Sequence, residues 1–349
     1  MLTFQNPHLY GSKTVSAAIS GGYTNVRDVT TFASSTLRGD FRVTQRLRKD
    51  TYIYDFQYRR VKVDPNSLQV SADLIPLLSQ PVRVGGPGVT WFHDTRSPTP
   101  LDAIKGSYTS VQTFLASSKF GSQTDFWKVD GTNSTYYKFG KQKYVLARST
   151  RIGYERASGT NPNVGSDVCL GVYLTTNPSC NAIPLPERLY AGGASSHRGF
   201  GINGAGPRDL QTGFPVGGTA ALVNSIEFRM PAPTLPYVGD SINFVAFHDM
   251  GNVFQNAGDM FPSFLRFNQP NRHTCKDVSG KIGTCDFNYY SHAVGLGARY
   301  KTPVGPVRVD FSYNLNPPIY PVIYDFNNNP PRWKQANHFN FFFSIGQSF

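Results

Sequence analysis

The last twelve residues, HFNFFFSIGQSF, alternate: Phe339, Phe341, Phe343, Ile345 and Phe349 share one side of an extended chain. His338, Asn340, Phe342, Ser344, Gly346 and Ser348 share the other, because successive side chains of a strand point to opposite faces. The same period of two runs through the chain. Tyr52, Tyr54, Phe56 and Tyr58 oppose Ile53, Asp55, Gln57 and Arg59, and Val307, Val309, Phe311, Tyr313 and Leu315 oppose Arg308, Asp310, Ser312 and Asn314. No long stretch of helical period bounded by caps competes with this pattern, and no run approaches the ~18 apolar residues of a membrane helix. The chain is therefore restricted to strands with one apolar face, as in a sandwich, a propeller or a barrel.

The second face decides among these. It carries charges and small polar residues, which a wet or plugged lumen accommodates, and closure into a barrel removes the edges that such long strands would leave exposed. The 19 Tyr and 26 Phe residues fit aromatic girdles at two membrane interfaces. The expected fold is all-β, a transmembrane antiparallel up-and-down β-barrel. Strands are expected near 13–24, 30–47, 51–63, 82–93, 106–117, 124–139, 143–155, 218–230, 240–250, 287–302, 306–315 and 337–349, twelve in all, with a stub at 1–6. Short links such as 48–50 and 302–306 alternate with long ones at 64–81, 156–217, 251–286 and 316–336. That asymmetry is the one seen in bacterial barrels, whose long loops lie outside the cell. No repeat or linker divides residues 1–349, which read as one barrel domain.

The net charge of +12 raises nucleic acid as a partner. The cations are not gathered into a patch, however. Arg38, Arg42 and Arg46 lie on the polar side of their strand with Asp40 among them, and Arg299 and Arg308 also project to a polar face. A basic lumen is the better reading, and nucleic acid is not expected.

The stretch SSHRGFGING contains a literal G-x-G-x-x-G at Gly199, Gly201 and Gly204. A phosphate-binding turn needs a helix after the glycines, so that free N–H groups face the anion. The residues that follow, AGPRDLQTGFPVGG, are incompatible with one. The segment reads as a glycine-rich loop, and no nucleotide or other cofactor is expected. The four cysteines form two close-spaced pairs, Cys169 with Cys180 and Cys275 with Cys285, both in long loops. Local disulfides in an oxidising compartment account for them, whereas zinc would want tighter spacing and histidine neighbours. Asp249 follows His248 and His292 follows Ser291, but adjacent residues on a strand face opposite ways, and no G-x-S-x-G elbow is present. No catalytic site is expected, with an outer-membrane lipase and a passive pore as the competing readings.

PLPERLYAGGASSHRGFGINGAGP resembles the sixth extracellular loop of the BamA/TamA superfamily of outer-membrane assembly and translocation barrels (the bacterial surface antigen family). There an aromatic-Ala-Gly-Gly run leads to an Arg-Gly-aromatic tip, here Arg198, Gly199 and Phe200. LVNSIEFRMPAP with Glu227, and VAFHDMGNVF with Asp249, Gly251 and Asn252, are similar to the two strands that follow. GLGARYKTPVGPVRVDFSYNL and FFFSIGQSF match the closing strands and the C-terminal insertion signal, and HDTRSPTPLDAIKG is similar to an Asp-rich turn before a glycine. The resemblance is dense from about residue 82 to 349 and departs at His197, where a valine or similar residue commonly stands.

The resemblance implies a barrel of sixteen strands preceded by a signal peptide and periplasmic POTRA repeats. Against that pattern the chain reads as N-terminally incomplete, lacking the leader, the repeats, the first three strands and most of the fourth; alternatively, strands are missed, above all within 67–81. The implied function is insertion and folding of β-barrel precursors into the bacterial outer membrane, or translocation of polypeptides across it, without nucleotide or metal. Implied partners are unfolded outer-membrane protein precursors, outer-membrane lipid with lipopolysaccharide, and periplasmic assembly lipoproteins bound through POTRA domains. The loop tip is expected to fold into the lumen with Arg198 as a buried anchor. Alternation aims Glu227 and Asp249 inward on adjacent strands, where one guanidinium reaches both. Phe341, Phe343, Ile345, Gly346 and Phe349 form the expected insertion signal and seam. Gly346 either weakens the last strand or makes room for a bulky lumen neighbour.

Overall fold

The computed structural model describes residues 1–349 except 71–80, 141–143, 159–182, 232–240, 277–284, 303–304, 323–331 and 346–349. Its framework is one antiparallel sheet of thirteen strands in the order β1 to β12, then β15. The strands are β1 (Leu2–Asn6), β2 (Val15–Val29), β3 (Phe32–Leu47), β4 (Asp50–Val63), β5 (Val82–Asp94), β6 (Gly106–Ala116) and β7 (Phe126–Phe139). They continue with β8 (Tyr144–Ala157), β9 (Ala220–Pro231), β10 (Ile242–Phe254), β11 (Ser291–Tyr300) and β12 (Val307–Asn314), and end with β15 (Phe339–Ile345). A separate hairpin, β13 (Ile319–Val322) and β14 (Arg332–Gln335), lies between β12 and β15. Among the described residues there is no α-helix, and β1 and β15 are the two edges of the sheet.

The period of two becomes a two-faced wall. On β9, Val223, Ser225 and Glu227 are buried, while Ile226 between them is exposed. On β10, Val245, Phe247 and Asp249 are buried and Phe244 is exposed. The outward face carries apolar and aromatic side chains along the sheet: Leu37 and Phe41, Tyr54 and Phe56, Trp127, Leu296, Phe311, then Phe341, Phe343 and Ile345. A protein in water would not leave this much apolar surface open, whereas hydrocarbon satisfies it. Rings gather at both ends of the outward face of β7–β9. Phe139, Tyr144 and Phe228 stack at one end, and Trp127 and Tyr154 lie 4.9 Å apart at the other.

The core is the inward face together with residues 183–219, which fold against it. Leu189, Ala191, Phe200 and Ala205 of this loop are buried among Ala221, Val223 and Val253 of the wall. A second cluster joins Leu185 and Val216 to Phe32, Val63, Leu68 and Val70. The loop therefore plugs the inside of the wall and is not a solvent excursion.

Several expectations need correction. The strand expected at 13–24 runs to Val29 and the next begins at Phe32, so the hairpin turn falls at Thr30 and Thr31. β10 continues to Phe254, and β11 begins at Ser291 instead of 287. The hairpin β13–β14 lies in a segment expected to be loop. The strand sought within 67–81 falls on residues 71–80, outside the described residues.

Candidate functional site

β9 and β10 pair so that Glu227 lies opposite Phe247 and Ser225 opposite Asp249. Both carboxylates consequently sit on the inward face, two residues apart in height. The loop tip meets them there. The Arg198 guanidinium forks onto Asp249, with Nε donating to Oδ2 and Nη2 to Oδ1, both at 2.8 Å. Nη1 donates to Glu227 Oε1 at 2.8 Å, and Nη2 also reaches Ser225 Oγ at 2.9 Å. The Arg198 backbone N–H adds a bond to Asp249 Oδ2 at 2.9 Å, and the guanidinium carbon lies 3.4 Å from the centre of the Phe247 ring. With Arg198 1% exposed and Glu227 and Asp249 fully buried, each charge is compensated by direct, charge-assisted bonds.

These residues belong to a wider charged cluster. Arg299 joins Glu227 at 3.3 Å to Asp310 at 2.5 Å, Arg308 meets Asp310 at 3.1 Å, and Arg229 meets Glu227 at 3.0 Å. Four guanidiniums, from the loop tip, β9, β11 and β12, thus surround three carboxylates on β9, β10 and β12. The main chain of the tip is held as well. Ser312 donates to Arg198 O, Asn314 and Asn340 donate to Gly199 O at 2.9 and 3.1 Å, and Arg308 donates to Ala194 O at 2.9 Å. The tip is therefore fastened from β9 as far as the terminal strand.

Local chemistry explains the shape. Gly192 adopts φ 121°, where a side chain would be strained, and a Cβ there would also collide with Gly201 O. At Gly199 a Cβ would come within 2.9 Å of Ala293 Cβ, so only glycine lets the tip lie flat on β11. His197 is fully buried: its Nδ1 accepts from the Gly199 N–H at 3.0 Å, which leaves Nε2–H to donate to Ser291 O at 3.0 Å. The residue that departs from the family pattern is thus a working part of the tip. Further back, Arg59 of β4 grips Glu187 with Nε 3.0 Å from Oε1, and Arg151 of β8 pairs with Asp130 of β7 at 2.6 Å and donates to Tyr190 O.

Phe341, Phe343 and Ile345 lie on the outward face of β15, at the edge of the sheet. Gly346 and Phe349 fall outside the described residues, as do Cys169 and Cys180. Cys275 and Cys285 are joined by a disulfide. The residues that superficially offered hydrolase chemistry are separated by the wall. Asp249 and Ser291 are buried inside, whereas His248 and His292 meet outside, Nε2 to Nδ1 at 3.1 Å. Among the described residues no group of three or more His, Cys, Asp or Glu side chains is arranged to hold a metal ion. Sequence reasoning did not assign Asp310, Ser312, Asn314 and Asn340 to the tip, although alternation does place all four on polar faces.

The sequence profile of the Omp85 superfamily domain matches residues 1–349. Among solved structures, BamA from Haemophilus ducreyi lacking POTRA domains 1–3 superposes with a TM-score of 0.67 at 15% identity, over 99% of this chain and 60% of that one. This similarity bears on the fold, an all-β barrel architecture, and the chain spans 60% of the length of that relative. CdiB from Acinetobacter baumannii gives a TM-score of 0.44 at 13% identity over 95% of this chain and 46% of that one.

Proposed function

Because the chain belongs to the Omp85 superfamily of outer-membrane β-barrel proteins, we propose that it is an assembly factor that inserts and folds β-barrel precursors into the outer membrane. The family is one of non-enzymatic assembly and transport barrels, and the chain is an outer-membrane protein. Insertion is the finer reading. The observation that supports it is the edge strand β15, to which the plugging loop is tied through Asn340 and Gly199. An edge strand offers unpaired backbone N–H and C=O groups on which an incoming strand can form, and no nucleotide is needed because burial of the client in lipid drives the reaction. A plug held against the wall keeps the lumen closed while the edge works. Unfolded precursors, outer-membrane lipid and lipopolysaccharide, and assembly lipoproteins docked through POTRA domains are the proposed partners.

Vesicles containing the full chain, mixed with a urea-unfolded outer-membrane protein, test this reading. Faster appearance of heat-modifiable, membrane-embedded client than in empty vesicles is the expected result. Passage of an unfolded polypeptide into the vesicle interior without client folding would instead support the TamA-like or two-partner translocation alternative. Ion conductance alone would leave a passive pore, and ester hydrolysis would point to a lipase.

A further inference from the structure

The link between β10 and β11 does not simply project away from the wall; it turns down over the outside. Phe254 and Tyr290 flank this link, and Met260 within it is buried with them against Ala220 and Leu222. Those last two residues lie on the outward face of β9, since Ala221 and Val223 between and beside them contact the plugging loop inside. Tyr290 OH donates to Met260 O at 3.0 Å, and the Tyr290 N–H donates to Arg266 O at 2.9 Å. The Phe264 ring meets Tyr290 at 5.4 Å, and Phe267 meets the outward-facing His292 at 5.1 Å. Asn316 clamps the arrangement by donating to both Phe267 O and Tyr290 O. The segment is thus packed onto the side of the wall that faces lipid.

Having covered that patch, the segment exposes a new apolar surface. Phe261 is 66% exposed and Leu265 91%, with Phe264 and Phe267 also open, and the four fall within seven residues. A loop in water has no reason to display them together. We propose that residues 256–268 form a collar seated in the outer leaflet, with Phe261, Phe264, Leu265 and Phe267 among lipid acyl chains. Two features commit the occupant to lipid. The surface is continuous with the lipid-facing wall through Phe267 and His292, and it lies on the side of the long loops, hence at the outer leaflet. Arg266, exposed beside Leu265, is placed to keep its charge at headgroup level while its stem stays in the apolar layer. The collar sits over β9–β11, so it would fix the height of this part of the wall in the membrane. The inference rests on the outer-membrane placement of the chain and is independent of which clients it serves.

The test is Leu265→Trp in the full chain, reconstituted in phospholipid vesicles, with the parent spectrum subtracted to remove the three native tryptophans. Leu265 is nearly free of contacts, so heat-modifiable migration should match the parent. The added emission is expected to be blue-shifted, to lose most of its intensity in lipids brominated on the acyl chains, and to resist iodide supplied on both sides. Quenching by iodide with no loss in brominated lipid would place the segment in water and overturn the proposal. Protection from both quenchers would also overturn it, by showing that protein, such as a second copy of this chain, covers the surface.

Discussion

Asn340 of the terminal strand donates its side-chain amide to Gly199 O in the loop tip at 3.1 Å, across 141 residues of sequence. The same oxygen accepts from Asn314 of the neighbouring strand at 2.9 Å. One carbonyl therefore ties the plug to the edge of the sheet by two separate strands. Removing Asn340 alone leaves that oxygen satisfied, and Asn340→Ala should cost about 0.5–1.5 kcal/mol. Removing both amides leaves a buried acceptor unpaired, so the double variant should lose more than the sum of the singles. Urea unfolding of the four variants of the cycle measures this, and strict additivity would show that the two bonds do not share the load.

Arg148 stands on the outward face of β8, between the buried Ala147 and Ser149. It lies between the two aromatic ends of the wall, four residues from Tyr144 and six from Tyr154 on the same face. Among the described residues it has no carboxylate partner. It donates to Asn133 at 3.3 Å and Thr150 at 2.8 Å, and its Nε is without a partner. A cation at mid-depth on a lipid face costs about 2–4 kcal/mol. Arg148→Leu should accordingly raise the unfolding free energy in vesicles by about 2 kcal/mol. Asn133 also donates to Thr109 at 2.9 Å and Thr150 to Asn224 at 2.7 Å, so a polar band crosses β6 to β9 here. A loss of about 2 kcal/mol would mean that this band is a binding surface or a structural requirement.

The terminal alternation makes its own demand. Phe341 and Phe343 are outward and 59% and 64% exposed at the sheet edge. Replacing both by Asp puts charge into hydrocarbon, at a cost of about 2–4 kcal/mol per site for the worst residues and less for Asp. The double variant should fail to insert, reported by loss of heat-modifiable migration on a cold gel. Unchanged migration would count against a lipid-facing β15.

Cys275 and Cys285 close a loop beside the collar, so oxidised protein should show no free thiol at either position until reductant is added. In the chain-entropy account a loop this short contributes about 2–3 kcal/mol. Reduction should therefore lower the unfolding midpoint, and quantitative labelling of either cysteine without reductant would rule out the bond.

Much of the wall was legible in the sequence because a period of two is a property of the backbone itself. The twelve long strands and the stub correspond to the thirteen strands of the sheet. The misses have physical reasons. The turn at Thr30 and Thr31 carries no Gly, Pro, Asn or Asp to mark it. β13 and β14 are four residues each, too short to alternate visibly, and Pro321 within β13 argues against a strand. For the site, alternation fixed which face Glu227, Asp249 and Asp310 occupy. It could not fix the height at which the loop docks, so Ser312, Asn314 and Asn340 were not assigned to the tip. The collar was illegible because it depends on Met260 and Tyr290 packing across the chain, a contact without local signature.

The central claim is that Arg198 is the buried anchor holding the plug to the wall. A surface pair supplies the comparison: Lys301 and Asp102 lie 2.8 Å apart and are about half exposed. Exposed pairs are worth about 0–1 kcal/mol, whereas removing one partner of a buried pair costs about 3–5 kcal/mol. The measurement is urea unfolding of the vesicle-embedded chain, comparing Arg198→Ala, Arg198→Lys and Lys301→Ala with the parent. The account predicts a loss of about 3–5 kcal/mol for Arg198→Ala and below about 1 kcal/mol for Lys301→Ala. Arg198→Lys should recover little, because an ammonium cannot reproduce the fork onto Asp249 together with the bond to Glu227. Equal, small losses for Arg198→Ala and Lys301→Ala would contradict the account.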